Sequence, residues 1–190
     1  PGQVIDAWAH WPGNAVHWAD WWLQVAALDA PAVPGPPMPP GLPARPRIHL
    51  EAAWNRDADA WLAALGLGGR PLVLLQPGHK KTHKRGRIGT VTHDKHWPAE
   101  RWAAVARTIL QRIPRGAVLV CGSVREAGLV QAIIDAAGEA PADTRLMNVA
   151  RDLALPRLAA LAARAHSMVS VDTGPAHLAG ATNCPLVVLY

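Results

Sequence analysis

The chain has 190 residues, half of them hydrophobic, and a formal net charge of +5. That length supports one well-formed core with an appendage and excludes two full domains, and no apolar run reaches the length of a membrane span. Cys121 and Cys184 lie far apart, in or beside apolar segments. They read as small hydrophobes rather than as a disulfide framework and fit a reducing cytoplasm. The positive balance points to an anionic partner or surface. Much of it is concentrated, because Lys80, Lys81, Lys84, Arg85, Arg87 and Lys95 share one segment whose only acid is Asp94.

In chain order, both ends read as cuts in a longer protein, with no signal-like start at Pro1 and an apolar strand closing at Tyr190. Residues 15–28 carry Trp18, Trp21, Trp22, Val25 and Leu28 at helical spacing, a face suited to packing. Residues 31–46 are saturated with proline, which supports neither a helix interior nor a central strand, and read as an extended linker. Helix and strand then alternate. A helix at 55–65 stops at Gly66, and strand 72–76 follows Pro71; helix 98–113 leads to strand 117–121. Helix 125–137, strand 145–149, helix 155–165, strand 167–171, a helix opening at Gly174 and strand 186–190 complete the series. Continuously apolar strands alternating with helices predict a Rossmann-like parallel α/β sheet covered on both faces, truncated at its ends. The predicted division is 1–30 as the tail of another domain, 31–46 as linker and 47–190 as the sheet domain.

Ligands in such sheets bind beyond the carboxyl ends of the strands, so the loops after Gln76, Cys121, Val149 and Val171 are the candidates. The last is the most informative. Strand 167–171 breaks at Asp172-Thr173-Gly174 into a helix whose first residues are Pro175, Ala176 and His177. Unpaired amides and the positive dipole end at such a junction favour a phosphate, and Gly174 and Ala176 admit a ligand close to the backbone. His177 alone reads as a packing histidine, and Lys95 alone as a solvated lysine. His79 and His83 with His93 or His96 imitate a metal cluster, but no carboxylate or cysteine set surrounds them and no metal is expected.

The string Asp-Thr-Gly-Pro-x-His-Leu-Ala at 172–179, followed by Asn183-Cys184-Pro185 and an apolar strand, resembles the donor-site signature of the family 9 glycosyltransferases, the lipopolysaccharide heptosyltransferases and their relatives. Three upstream segments resemble the same family in the same order: Pro77-Gly78 with Lys95-His96-Trp97-Pro98, then Gly122 to Glu126, then the stretch from Asn148 to Leu158. The resemblance spans about residues 72–190. It implies half of a GT-B enzyme, with Lys95 on the donor phosphate, Glu126 on the ribose hydroxyls, and Gly78 in the first turn. Thr173 and the amides from Gly174 through Pro175 and Ala176 would hold the diphosphate, with His177 in support. Asp172 would orient the loop or meet a sugar hydroxyl, and Lys95 with Asp172 are the catalytic candidates. Ala150 and Arg151 stand where relatives carry a small glycine, which leaves Met147 and Leu153 to pack against a base.

What the resemblance implies is an inverting transfer of a sugar, heptose by analogy, from a nucleotide-diphosphate donor to a lipopolysaccharide-type or other glycan acceptor. An ADP-sugar is the favoured donor, as substrate, with no cofactor and no metal. The acceptor and the general base would belong mainly to the amino-terminal domain. The enzyme would be cytoplasmic, with peripheral contact at an anionic membrane. Residues 79–93 depart from the family as a longer, basic insert, read first as a cover for the donor phosphates, then as a patch for anionic lipid or acidic saccharide, then as a nucleic-acid contact. Nucleic acid is not the expected partner, since no aromatic interleaves the insert. Two alternatives remain at this point: a non-catalytic anion-binding module on the same fold that docks nucleic acid or membrane, and a sugar-nucleotide epimerase.

Overall fold

The computed structural model describes residues 46–79, 97–138 and 145–190, the backbone at 83–84 and 87–88, and residues 13, 16, 20, 21, 24 and 25. The chain divides into two units, Pro1–Pro46 and Arg47–Tyr190. In the first, Asp20, Trp21, Gln24 and Val25 are helical and Trp21 is buried, within the helix expected at 15–28. Val16, at the start of that span, forms a bend rather than helix; the other residues of 15–28, and the proline-rich stretch up to residue 45, lie outside the described residues.

The second unit is a parallel sheet with helices. Its elements are α1 (Ala52–Ala64), β1 (Leu72–Gln76), α2 (Ala99–Arg112), β2 (Ala117–Val120), α3 (Ala127–Ala137), β3 (Leu146–Asn148), α4 (Leu155–Arg164), β4 (Ser167–Val171), α5 (Gly174–Ala181) and β5 (Leu186–Leu189). The strand order is β3-β2-β1-β4-β5, with every neighbouring pair parallel. Within the basic insert, His83–Lys84 pairs antiparallel with Arg87–Ile88, a short ladder outside the main sheet.

Period-two alternation divides the apolar strands between two cores. Leu72, Leu74, Leu119 and Met168 pack with Ala58 and Leu62 of α1, Leu158 and Leu161 of α4, and Ala179 of α5. Val73, Leu75, Val118, Val120 and Val171 pack on the opposite face with Trp102 and Ala106 of α2 and Val130 and Ile133 of α3. Burial on both faces is why β1 up to Leu75, and all of β2, are apolar.

Element bounds differ from the sequence expectation mainly at helix starts. Helix α1 begins at Ala52 because Ala52, Ala53 and Trp54 extend it behind an extended Glu51. It ends where Gly66 adopts φ +67°, the left-handed conformation that glycine tolerates. The helix expected from Arg125 starts instead with one 3-10 turn, Val124–Glu126, because the Glu126 carboxylate folds back onto the Ser123 amide. Strand order reverses between β1 and β4, and this switch point opens a crevice at the carboxyl edge of the sheet.

Candidate functional site

A cleft of about 460 Å³ occupies that edge, within the size range of small-molecule sites. All four loops expected to meet a ligand line it. Gln76 closes β1 and Gly78 and His79 follow it, while Gly122, Ser123, Arg125 and Glu126 come from the loop after β2. Leu153, Leu155 and Leu158 follow β3, while Thr173 and Pro175 follow β4.

Glu126 is the buried acid of the cleft, 7% exposed. Its Oε2 accepts the Ser123 N–H at 2.7 Å, the reciprocal arm of a capping box that fixes the loop after β2. Its other oxygen lies against the Cα of Gly78: a methyl group built there would overlap Oε1 and stand 2.6 Å from Cδ. Gly78 is therefore required for space. Gln76 holds this turn by donating Nε2–H to the Gly78 carbonyl at 3.0 Å. Gly122 is close-packed too, since a methyl group there would meet Glu126 Cβ and Val130 Cγ2 at 3.2 Å. The first and second loops are thereby keyed together through one carboxylate.

At the β4–α5 junction the geometry departs from the expected row of open amides. Thr173 is the extended residue before α5 and its hydroxyl makes no cap to the helix. Its carbonyl accepts both the Ala176 N–H at 2.9 Å and the His177 N–H at 3.3 Å, and Pro175 has no N–H. Among the described residues, Gly174 keeps the one first-turn amide without a partner. The expectation that amides from Gly174 onward grip a diphosphate is corrected accordingly: Ala176 and His177 bond within the helix, and Pro175 contributes shape. Asp172 and His177 face each other, Oδ1 to Nε2 at 3.7 Å, with His177 81% exposed. Neither Asp172, Gly174, Ala176 nor His177 lines the cleft wall, whereas Gly78, Glu126, Thr173 and Pro175 do. Lys95 lies outside the described residues.

One wall is apolar. Leu155, 68% exposed, borders the cleft with Leu153 and Leu158. Met147 instead packs against the core of the α1–α4 face. Arg157 braces this wall from behind. Its Nη1 donates to the Asp152 carbonyl at 2.6 Å, and its Nε and Nη2 donate to Asp57 of α1 at 2.7 and 2.8 Å. The hydrogen bond from Arg157 holds the Asp57 carboxyl below its ordinary value. Cys121 also lines the cleft, and burial pushes its thiol up to about 12, which disfavours the thiolate at neutral pH. Among the described residues, no three His, Cys, Asp or Glu side chains come together as a metal site, and no helix is long and apolar enough to cross a membrane.

The sequence reading did not single out Gln76, Cys121, Arg125, Leu155 or Leu158 as lining residues. Arg125, Leu155 and Leu158 carried a signal, since each lies in a segment already quoted for its resemblance to the family.

Residues 45–190 match the profile of glycosyltransferase family 9 (heptosyltransferase). The chain belongs to this family. Among solved structures it is similar to the family 9 glycosyl transferase of Veillonella parvula, with 22% identity, a TM-score of 0.58, and coverage of 75% of this chain and 36% of that one. It is similar also to the ADP-heptose lps heptosyltransferase II of E. coli, with 21% identity, a TM-score of 0.58, and coverage of 82% and 41% respectively. The chain thus spans about two fifths of the length of these structures. A comparison with curated protein sequences gives no match. The shared fold is the α/β Rossmann-like unit of GT-B glycosyltransferases, and the family assignment makes the chain heptosyltransferase-like.

Proposed function

We propose that this family 9 chain is the donor-binding half of an inverting glycosyltransferase that uses a nucleotide-diphosphate sugar. The observation carrying the reading is the convergence of four strand-end loops on one cleft with a buried carboxylate, an apolar wall and the Thr173–Gly174 turn. Glu126 accepts hydrogen bonds from the ribose hydroxyls with the lone pairs that Ser123 leaves open. The leucine wall receives the base. The Thr173 hydroxyl and the Gly174 amide meet the diphosphate at the positive end of α5.

In the transfer, an acceptor hydroxyl oxygen bonds to the anomeric carbon while the bond from that carbon to the diphosphate oxygen breaks. The proton passes to a carboxylate base in the amino-terminal half, and the nucleoside diphosphate leaves with the bond pair. Lys95 neutralises charge developing on that leaving group, an interaction stronger in the transition state than in the ground state, so no metal is required. Asp172 orients the loop or meets a sugar hydroxyl. The donor is an ADP-sugar, heptose being the sugar that the family description and the name of the E. coli enzyme carry. The acceptor is a lipopolysaccharide-type glycan presented at the inner face of an anionic membrane.

Calorimetric titration with ADP, UDP and GDP tests this. ADP is expected to bind most tightly, and Glu126→Ala is expected to weaken it by roughly 10-fold or more, the loss of charge-assisted hydrogen bonds. Lys95→Ala is expected to weaken it similarly. No binding of any nucleotide, alongside salt-dependent binding of duplex DNA, overturns the proposal in favour of a docking module. Release of an epimerised sugar without an acceptor overturns it in favour of an epimerase.

A further inference from the structure

The β4–α5 turn offers too few amides to neutralise a diphosphate. Pro175 lacks an N–H, and the Ala176 and His177 amides both bond to the Thr173 carbonyl. Gly174 and the Thr173 hydroxyl remain. The cleft also already holds the Glu126 carboxylate, 7% exposed, whose field opposes a second anion. A diphosphate brought into this crevice carries more negative charge than the one cation assigned to it above, Lys95, offsets, so a further cation on the wall is required.

Among the described lining residues, Arg125 is the one permanently charged cation. Like other exposed arginines such as Arg101 and Arg151 it is untied, but among the described arginines it alone lines this cleft. Arg107 donates to the carbonyls of Ala136 and Ala137, and Arg145 to that of Pro114. Arg157 and Arg164 pair with Asp57 and Asp59. Each of these fastens one element to another. Arg125 has no such bond or ion pair among the described residues, and its side chain is exposed at the cleft. Its backbone, however, is fixed inside the 3-10 turn that the Ser123–Glu126 box closes. A guanidinium on a fixed stem, one residue from the buried acid and aimed at no structural partner, is suited to a ligand. Its fork of donors matches two phosphate oxygens.

We propose that Arg125 binds the diphosphate of the nucleotide donor, supplying the charge that the β4–α5 turn lacks. This makes Arg125 a specificity residue for the phosphorylated part of the ligand, while Glu126 beside it serves the ribose. One loop thus reads two parts of one molecule. The assignment rests on the donor reading above and adds to it a residue from outside the helix terminus.

Titration calorimetry of the 190-residue chain with ADP, adenosine and inorganic pyrophosphate, for the unmodified protein, Arg125→Gln and Arg125→Lys, tests it. Arg125→Gln is expected to weaken ADP and pyrophosphate roughly 10- to 100-fold, as loss of charge-assisted bonds does, while leaving adenosine within about twofold. Arg125→Lys retains the charge without the fork and recovers part of the loss. The dependence of ADP affinity on ionic strength flattens in Arg125→Gln. Thermal melts matching the unmodified protein accompany this result, because the side chain packs against no structural partner. ADP affinity unchanged by Arg125→Gln overturns the assignment and leaves the donor reading intact. Equal losses for ADP and adenosine overturn it as well, showing a role in shaping the loop. An unmodified chain that binds none of the three overturns the donor reading itself, and the assignment with it.

Discussion

Replacing Gly78 by alanine inserts a methyl group into the position held by the Glu126 carboxylate. The new Cβ overlaps Oε1, stands 2.6 Å from Cδ and 3.2 Å from Cγ, so the side chain must rotate away. Rotation breaks the 2.7 Å bond from the Ser123 amide to Oε2, a capping interaction of about 0.5–2 kcal/mol. An off-rotamer carboxylate costs about 0.5–1.5 kcal/mol more. Against this, alanine restricts the unfolded chain and returns about 0.4–1 kcal/mol. The cap and rotamer losses win, leaving a net destabilisation of about 1–2 kcal/mol, or a drop in melting temperature of roughly 2–8 °C for a chain of this size. A double-mutant cycle isolates the cause. In a Glu126→Ala background the three atoms nearest the new methyl, all of the Glu126 side chain beyond Cβ, are gone, so Gly78→Ala becomes neutral or slightly stabilising, a coupling of about 1–3 kcal/mol. Thermal melts of the four proteins measure it. Strictly additive effects, or an unchanged melt for Gly78→Ala alone, refute the contact between the first and second loops.

Other perturbations follow from the same geometry. The Arg157 hydrogen bond depresses the Asp57 carboxyl, so its contribution to stability is present above the ordinary carboxylate range and is lost as pH falls through the depressed value. The melting temperatures of the unmodified protein and Asp57→Asn should therefore differ near neutrality and converge in acid; a constant difference across that range contradicts the pairing. Cys121, with its thiol at about 12, should resist a disulfide reagent at pH 8 until the protein unfolds, as read by peptide mass. Rapid labelling in the folded state counts against that burial. Leu158→Ala should cost about 2–4 kcal/mol by urea titration, because Leu158 is 5% exposed and joins the core as well as the cleft.

Much of the sheet was legible because its signals are local. Leu72 to Leu75 and Ala117 to Val120 are apolar without interruption, and only strands covered on both faces carry that pattern. Knowing that the sheet is parallel was enough to nominate the four loops. What stayed hidden depends on contacts across the sequence. Nothing in Gly78 announces that its missing Cβ makes room for a carboxylate 48 positions later. Likewise, the junction at Gly174 reads as a row of open amides until the Thr173 carbonyl is seen to accept two of them. The start of the third helix was misplaced for a related reason. Glu126 looks like an ordinary first-turn acid, but its side chain returns to Ser123 and tightens the turn before it.

Arg157 has its guanidinium outside the cleft, yet it ties the Asp152 carbonyl beside the leucine wall to Asp57 on an exterior helix. The leucine wall of the cleft is therefore anchored by a contact on the protein's exterior. Changes around Asp57 that touch no lining residue are expected to shift Leu153 and Leu155 together, so two proteins that share every lining residue can still differ in the shape of this cleft.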